Sequence, residues 1–211
     1  MSGAPATSVT VAASAASAAF EQFAAFARRW APGMTDAELE PARRFRVAEA
    51  AKGEYLARIG DSDSRSSFIL RGLVRQVFVG PDGRERVNTF ASDDALVCTY
   101  RALLTVEISD LAIQALEPTR YLAMPPGAIP DLIERHAGWR ELTARLTEHK
   151  FITAELRNRT LLLDDAAERY RTFLDDFAAI APRVPLSQVA AYIGVTPEAL
   201  SRIRRRHPVT A

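Results

Sequence analysis

The chain has 211 residues, 48% of them hydrophobic and 25% charged, which is ordinary usage for a soluble globular protein with one sizeable core or two small domains. Its 27 basic and 26 acidic residues leave a formal net charge of +1, which argues against a polycation that coats nucleic acid along its whole length. One cysteine, Cys98, excludes an intrachain disulfide and any multi-cysteine zinc or iron–sulfur site; His136, His149 and His207 lie far apart and outside any H-E-x-x-H frame, so no metal and no other cofactor is expected.

The first nineteen residues are mostly Ala, Ser, Thr and Val and carry no charged side chain. They lack the basic start and unbroken apolar run of an export signal, so residues 1–17 are expected as an arm without structure. No window of 18 apolar residues exists, which predicts no membrane partner and a cytoplasmic location. Phe20, Phe23, Phe26, Ala27 and Trp30 then recur at helical spacing up to Pro32 and Gly33. Thr35 and Glu38 form the pattern of a capping box, and Pro41 keeps that second helix short.

The middle of the chain reads as short strands. Phe45, Val47 and Ala48 open an extended stretch, and Tyr55–Ile59, Ser67–Leu70, Leu73–Val79, Glu85–Phe90, Leu103–Ile108, Leu111–Leu116 and Tyr121–Met124 follow. Gly and Pro punctuate them, with a strong hairpin signal at Gly80-Pro81-Asp82-Gly83. Strands at this spacing, without a βαβ rhythm, predict an antiparallel sandwich or barrel.

After Pro125, Pro126 and Pro130 the pattern becomes helical. Trp139, Leu142, Leu146, His149, Thr153, Leu156, Thr160 and Leu163 fall alternately three and four residues apart. One helix over 132–163 would be about 45 Å long, more than a small domain can cover, which predicts a dimer helix with these eight residues at the interface. A helix lying on its own sheet is the alternative. Asp164-Asp165 caps the next helix, whose stripe is Tyr170, Phe173, Leu174 and Phe177.

Residues 186–206 have the grammar of a helix-turn-helix. A short helix starts near Ser187 and ends at Gly194; Thr196 caps a second, with Pro197 at its first position. Val189, Ala190, Ile193, Val195, Leu200 and Ile203 would form its core. Among the exposed residues, Arg202 suits guanine, Glu198 suits cytosine, and Thr196 and Ser201 suit phosphates. Arg204, Arg205 and Arg206 add backbone charge. Ser187 and Pro197 complete the candidate DNA-facing set, and a solvated basic helix end is the bland alternative for the arginines.

This arrangement resembles the cyclic-AMP receptor protein and fumarate–nitrate regulator (Crp/Fnr) family of bacterial transcription factors. The resemblance is carried by Lys52-Gly53-Glu54, Phe68–Arg75, Pro81–Glu85 and Val184–Arg204, and covers nearly everything from Phe20 to Arg206. It implies an α+β chain: a cyclic-nucleotide-binding-like antiparallel jelly roll over 18–131 with N-terminal helices, a dimerisation helix over 132–163, and an all-α helix-turn-helix domain over 164–211. Glu198 and Arg202 fall on the family's base-reading Glu and Arg, whereas Pro197 stands where many members have a third contacting residue. Only five residues follow Arg206, so a reader without the β-hairpin wing is expected.

The family's nucleotide cassette needs a Gly-Glu pair and a later Arg. The corresponding stretches, Ser92–Cys98 and Val106–Leu111, have neither, and Asp110 would repel a phosphate. The chain is therefore not expected to answer to cyclic AMP. Asp93, Asp94, Cys98, Arg101, Ser109 and Asp110 are the candidate pocket for an unknown small-molecule effector. The function expected is a homodimeric regulator of double-stranded DNA on a palindromic operator, with RNA polymerase as a further candidate partner. A ligand-binding or protein-interaction module with a decayed reader is the alternative. The adjacent acids Asp93-Asp94 and Asp164-Asp165 have no partner motif, so no enzyme is expected. The charge balance supports a reader at one end: residues 183–206 hold five basic side chains against Glu198, and residues 1–182 hold 22 basic against 25 acidic.

Overall fold

The structure, a computed structural model, describes residues 6–61, 66–99 and 109–206. Its centre is two four-stranded antiparallel sheets. The first has strand order β1 (Arg46–Ala50), β8 (Thr119–Met124), β3 (Ser66–Arg71), β6 (Ala95–Cys98). The second has β2 (Tyr55–Ala57), β7 (Leu111–Ala115), β4 (Leu73–Val79), β5 (Glu85–Ser92). The β4–β5 hairpin closes at the expected turn: Gly80 N donates to Arg84 O at 2.9 Å, and Gly83 turns with φ +71. The strand predicted at 103–108 lies outside the described residues. β6 was not predicted, because Ala95–Cys98 is short and follows the acidic Ser92-Asp93-Asp94.

Each sheet is covered on both faces, and the period of two in a strand sorts the side chains between them. On β3, Phe68 and Leu70 join an outer core while Ile69 joins the interior of the roll. On β4, Leu73 and Val77 face a second outer core and Val74 faces the interior. This double burial explains the unbroken apolar runs Phe68-Ile69-Leu70 and Leu73-Val74.

Helix α1 (Ala6–Trp30) covers the first sheet. Phe23 is fully buried and packs edge-on against Phe45 and Phe68 at ring distances of 5.8 and 5.3 Å. The expected unstructured arm over 1–17 is corrected from Ala6 onward: the alanine-rich stretch is helical, as alanine has the strongest helix propensity. The capping box forms in α2 (Asp36–Leu39), and a 3₁₀ turn over Glu40–Arg44 leads into β1.

The long helix is also corrected. It does not run from 132 to 163. Helix α3 (Ala128–Arg135) stops, His136 is extended (φ −130, ψ 127), and α4 (Ala137–Leu163) begins afresh. Glu38 sets the break from outside: its Oε1 accepts from Gly138 N at 2.8 Å, capping the start of α4, and its carbonyl accepts from Trp139 Nε1 at 2.7 Å. Helices α5 (Ala166–Asp176), α6 (Leu186–Ile193) and α7 (Pro197–Arg206) complete the chain. Asp165 caps α5 through a second capping box. No helix among the described residues is long and apolar enough to cross a membrane.

Candidate nucleic-acid interface

Helices α6 and α7 form the two-helix unit expected from the sequence. Val189, Ala190, Ile193 and Leu200 are buried between them, with Val195 and Ile203 partly buried. Gly194 ends α6 in the left-handed region at φ +77, and Val195 N donates back to Ala190 O at 3.0 Å. Thr196 Oγ1 then accepts from Ala199 N at 3.2 Å and starts α7. The face away from the core carries Thr196, Pro197, Glu198, Ser201, Arg202, Arg204, Arg205 and Arg206, all exposed, with Ser187 exposed on α6. Glu198 and Arg202 are four residues apart and so share one side of the helix. Hydrogen bonds from its own backbone N–H and the Thr196 hydroxyl hold the Glu198 carboxyl below its usual pKa, and Arg202 lowers it further. The face therefore offers one fixed carboxylate acceptor and a set of guanidinium donors.

Arginines from neighbouring helices hold the turn of this unit, and no local pattern around Arg157 or Arg169 signals this role. Arg157 on α4 donates to Tyr192 O and stacks over the Tyr192 ring, 3.7 Å from its centre. Arg169 on α5 donates to Ile193 O at 2.8 Å and to Asp164 O at 2.7 Å. The bonds to Tyr192 O and Ile193 O satisfy carbonyls that the end of α6 leaves open. Burial draws the Arg157 pKa down from its usual value. The unit also packs on the outer face of the second sheet, where Phe90, Phe173, Phe177 and Tyr192 cluster at ring distances of 5.4–6.0 Å.

The eight residues expected at the dimer interface divide. Trp139, Leu142 and Leu146 belong to the chain's own core, at 1%, 1% and 6% exposure, and Thr160 is also buried. This corrects their assignment: Trp139 stacks on Phe23 at 5.8 Å, so that end of the helix is the lid of the α1 core. His149 lies against Trp30, ring centres 5.3 Å apart, and its carbonyl accepts from Thr153 Oγ1 at 2.9 Å. Leu156 and Leu163 remain exposed, together with Phe151, Ile152, Leu161 and Leu162, which were not singled out. The spacing was legible, but a helical period does not say which stripe its own domain covers.

The residues expected to form an effector pocket are not brought together as one set. Asp93 Oδ1 accepts from Gly72 N at 2.7 Å, and Asp94 accepts from Gln22 Nε2 at 2.9 Å, so both hold the β5–β6 turn. Ser109 is buried and bonds Leu111 at the start of β7. Cys98 is buried, Asp110 is exposed, and Arg101 lies outside the described residues. At the end of β6, Gln76 Nε2 donates to Cys98 O at 3.4 Å, and the buried Thr99 hydroxyl has no partner among the described residues. No group of three or more His, Cys, Asp or Glu that could hold a metal is found among the described residues.

Residues 47–136 match the cyclic nucleotide-binding domain family. No curated protein sequence matches the chain significantly. Among solved structures it is similar to FixK2 from Bradyrhizobium japonicum (TM-score 0.66, 19% identity, covering 77% of this chain and 83% of that one). It is also similar to a transcriptional regulator of the Crp/Fnr family from Eubacterium rectale (TM-score 0.68, 15% identity, 83% and 84% covered). The c-di-GMP-responsive global regulator CLP of Xanthomonas campestris is a third (TM-score 0.66, 13% identity, 82% and 91% covered). At these identities the shared property is the fold, and that fold is the Crp/Fnr architecture.

Proposed function

We propose that this chain, built on the Crp/Fnr architecture, is a sequence-specific DNA-binding transcriptional regulator and not an enzyme. The observation that carries the reading is the exposed face of α7, with Glu198 and Arg202 one turn apart and three further arginines behind them. Its opposite face is locked into a core, so the reading face is presented rigidly. The helix enters the major groove, where Arg202 donates to guanine O6 and N7 and Glu198 accepts from cytosine N4. Thr196, Ser201, Ser187 and the terminal arginines bear on phosphates.

The chain acts as a homodimer on a palindromic operator. The exposed apolar residues of the second half of α4, among them Ile152, Leu156 and Leu163, support the pairing. The roll over 18–131 serves as the sensing or scaffolding part and 164–211 as the reader. Cyclic AMP is not its effector, since the cassette segment Val106–Leu111 contains no arginine; the Thr99 hydroxyl, without a partner among the described residues, supports a small polar ligand instead. RNA polymerase is the further partner a regulator of this kind engages.

Selection of bound duplexes from a random pool tests the reading. Enrichment of a palindrome is expected, unchanged by cyclic AMP. On that site Arg202→Ala costs about 1–3 kcal/mol and relaxes preference at one base pair of each half-site. Enrichment of no palindrome, or equal losses on selected and scrambled duplexes, would overturn it.

A further inference from the structure

The outer face of the second sheet holds a buried charge that the reading of bases does not use. Arg75 lies on β4, its side chain only 6% exposed. Its Nε and Nη2 donate to Gln114 Oε1 at 2.8 and 2.6 Å, and Gln114 is itself fixed by donating to Gly53 O at 2.8 Å. Its Nη1 pairs with Glu85 Oε2 at 2.6 Å and donates across to Gln188 Oε1 on α6 at 2.5 Å. One guanidinium therefore joins β7, β4 and β5 of the roll to the first helix of the reader.

The contact around it is apolar. Leu73, Val77, Val87 and Phe90 on the sheet meet Phe173, Tyr192 and their neighbours on the helices. Such a seam holds the two parts together but is non-directional, so it tolerates sliding and rotation. A planar fork with acceptors on fixed strands has one satisfied orientation, and a buried guanidinium out of that orientation is left unpaired. Arg183 marks the other end of the same face, pairing with Glu117 and donating to Gly72 O at 3.1 Å.

We propose that Arg75, acting through Gln188, is a positioning residue for DNA recognition: it fixes the angle of the reader on the roll. In a dimer that angle sets the separation of the two recognition helices, which must match about one helical turn of DNA, roughly 34 Å. The consequence for DNA rests on the function proposed above; the positioning itself does not.

Three single variants and one double variant test it. Gln188→Met removes only the crossing bond and leaves Arg75 paired on the roll. Arg75→Met removes the charge, and Arg75→Lys keeps the charge but loses the fork. In both Met variants the α6 amides exchange hydrogen about tenfold faster than in the wild type, while α1 and α4 amides do not change. The double variant is within twofold of the single ones, and Arg75→Lys does not restore protection. On DNA, Gln188→Met loses about tenfold of the discrimination against a duplex with one base pair inserted between half-sites, while affinity for an isolated half-site is unchanged. A merely structural role would weaken both duplexes alike. Exchange at α6 within twofold of wild type in Gln188→Met would sink the proposal, and so would unchanged spacing discrimination. If the wild-type protein selects no duplex, the DNA-reading function fails, and the exchange measurements still decide whether Arg75 positions the reader.

Discussion

Leu146 and Leu156 stand ten residues apart on one helix, yet truncating them has separable effects. Leu146 is 6% exposed inside the α1 core, and Leu156 is 60% exposed. Leu146→Ala opens a cavity in a packed interior and costs about 2–5 kcal/mol of a total stability of order 5–15 kcal/mol. Leu156→Ala leaves the protomer within about 0.5 kcal/mol. In a dimer, however, the exposed three-fifths of Leu156 is area still to be buried. At about 1.5–3 kcal/mol for a fully buried leucine, that amounts to roughly 1–2 kcal/mol per copy. A twofold interface counts it twice, about 2–4 kcal/mol, which raises the dimer Kd roughly 30- to 1,000-fold. Urea unfolding at several protein concentrations, with sedimentation equilibrium on the same samples, separates the two. Leu146→Ala lowers stability without moving the Kd; Leu156→Ala raises the Kd, lowers the unfolding midpoint at concentrations where the wild type is paired, and makes it less dependent on concentration. If Leu146→Ala shifts the Kd as far as Leu156→Ala does, the division of the helix into a core half and a pairing half is wrong.

Two further variants probe the scaffold. Glu38 accepts from the backbone of Thr35 and Gly138, which lowers its pKa from 4.5. Because the folded value is the depressed one, this contribution is complete above the ordinary glutamate pKa and vanishes as pH falls through the folded value. The stability gap between wild type and Glu38→Gln is thus constant from neutral pH to about pH 5 and narrows below it; a gap that stays flat to pH 3 refutes the assignment. Gly72 has φ +130, and a Cβ there would collide with Thr119 Oγ1 and lie 2.8 Å from Thr119 Cα. Gly72→Ala therefore loses about 2–3 kcal/mol or more in urea unfolding, and an unchanged midpoint would mean the backbone there is not so constrained.

Most of the strands and the two-helix unit of α6 and α7 were legible because their signals are local. The Gly80–Gly83 turn, the Thr35–Glu38 box, Gly194 and the Thr196 cap each act within four residues. The division of α4 into covered and exposed positions was not, because the same three-four spacing can serve a core stripe or an exposed one. Which one is covered depends on Phe23 and Phe45, about a hundred residues away. The break at His136 has the same origin: nothing in residues 128–140 announces it, and the cap comes from Glu38. Arg75 read only as a polar residue within the predicted strand Leu73–Val79 and the stretch that carries the resemblance. Its partner Gln188 lies 113 residues on, and no spacing rule spans that distance. Asp93 and Asp94 looked like free acids because a turn that consumes carboxylates on backbone N–H groups is indistinguishable in sequence from one that offers them.

A fragment ended after Leu163 would strip the covering from Leu73, Val77, Val87, Phe90 and Ala112, all of which now meet the last three helices. That bare, contiguous apolar patch makes a roll-only fragment self-adhesive and prone to aggregate. Roll and reader are therefore not interchangeable cassettes. A chimera that grafts a foreign reader onto this roll must bring an aromatic hood of matching shape, or the roll must be recoloured with polar residues before it can live alone.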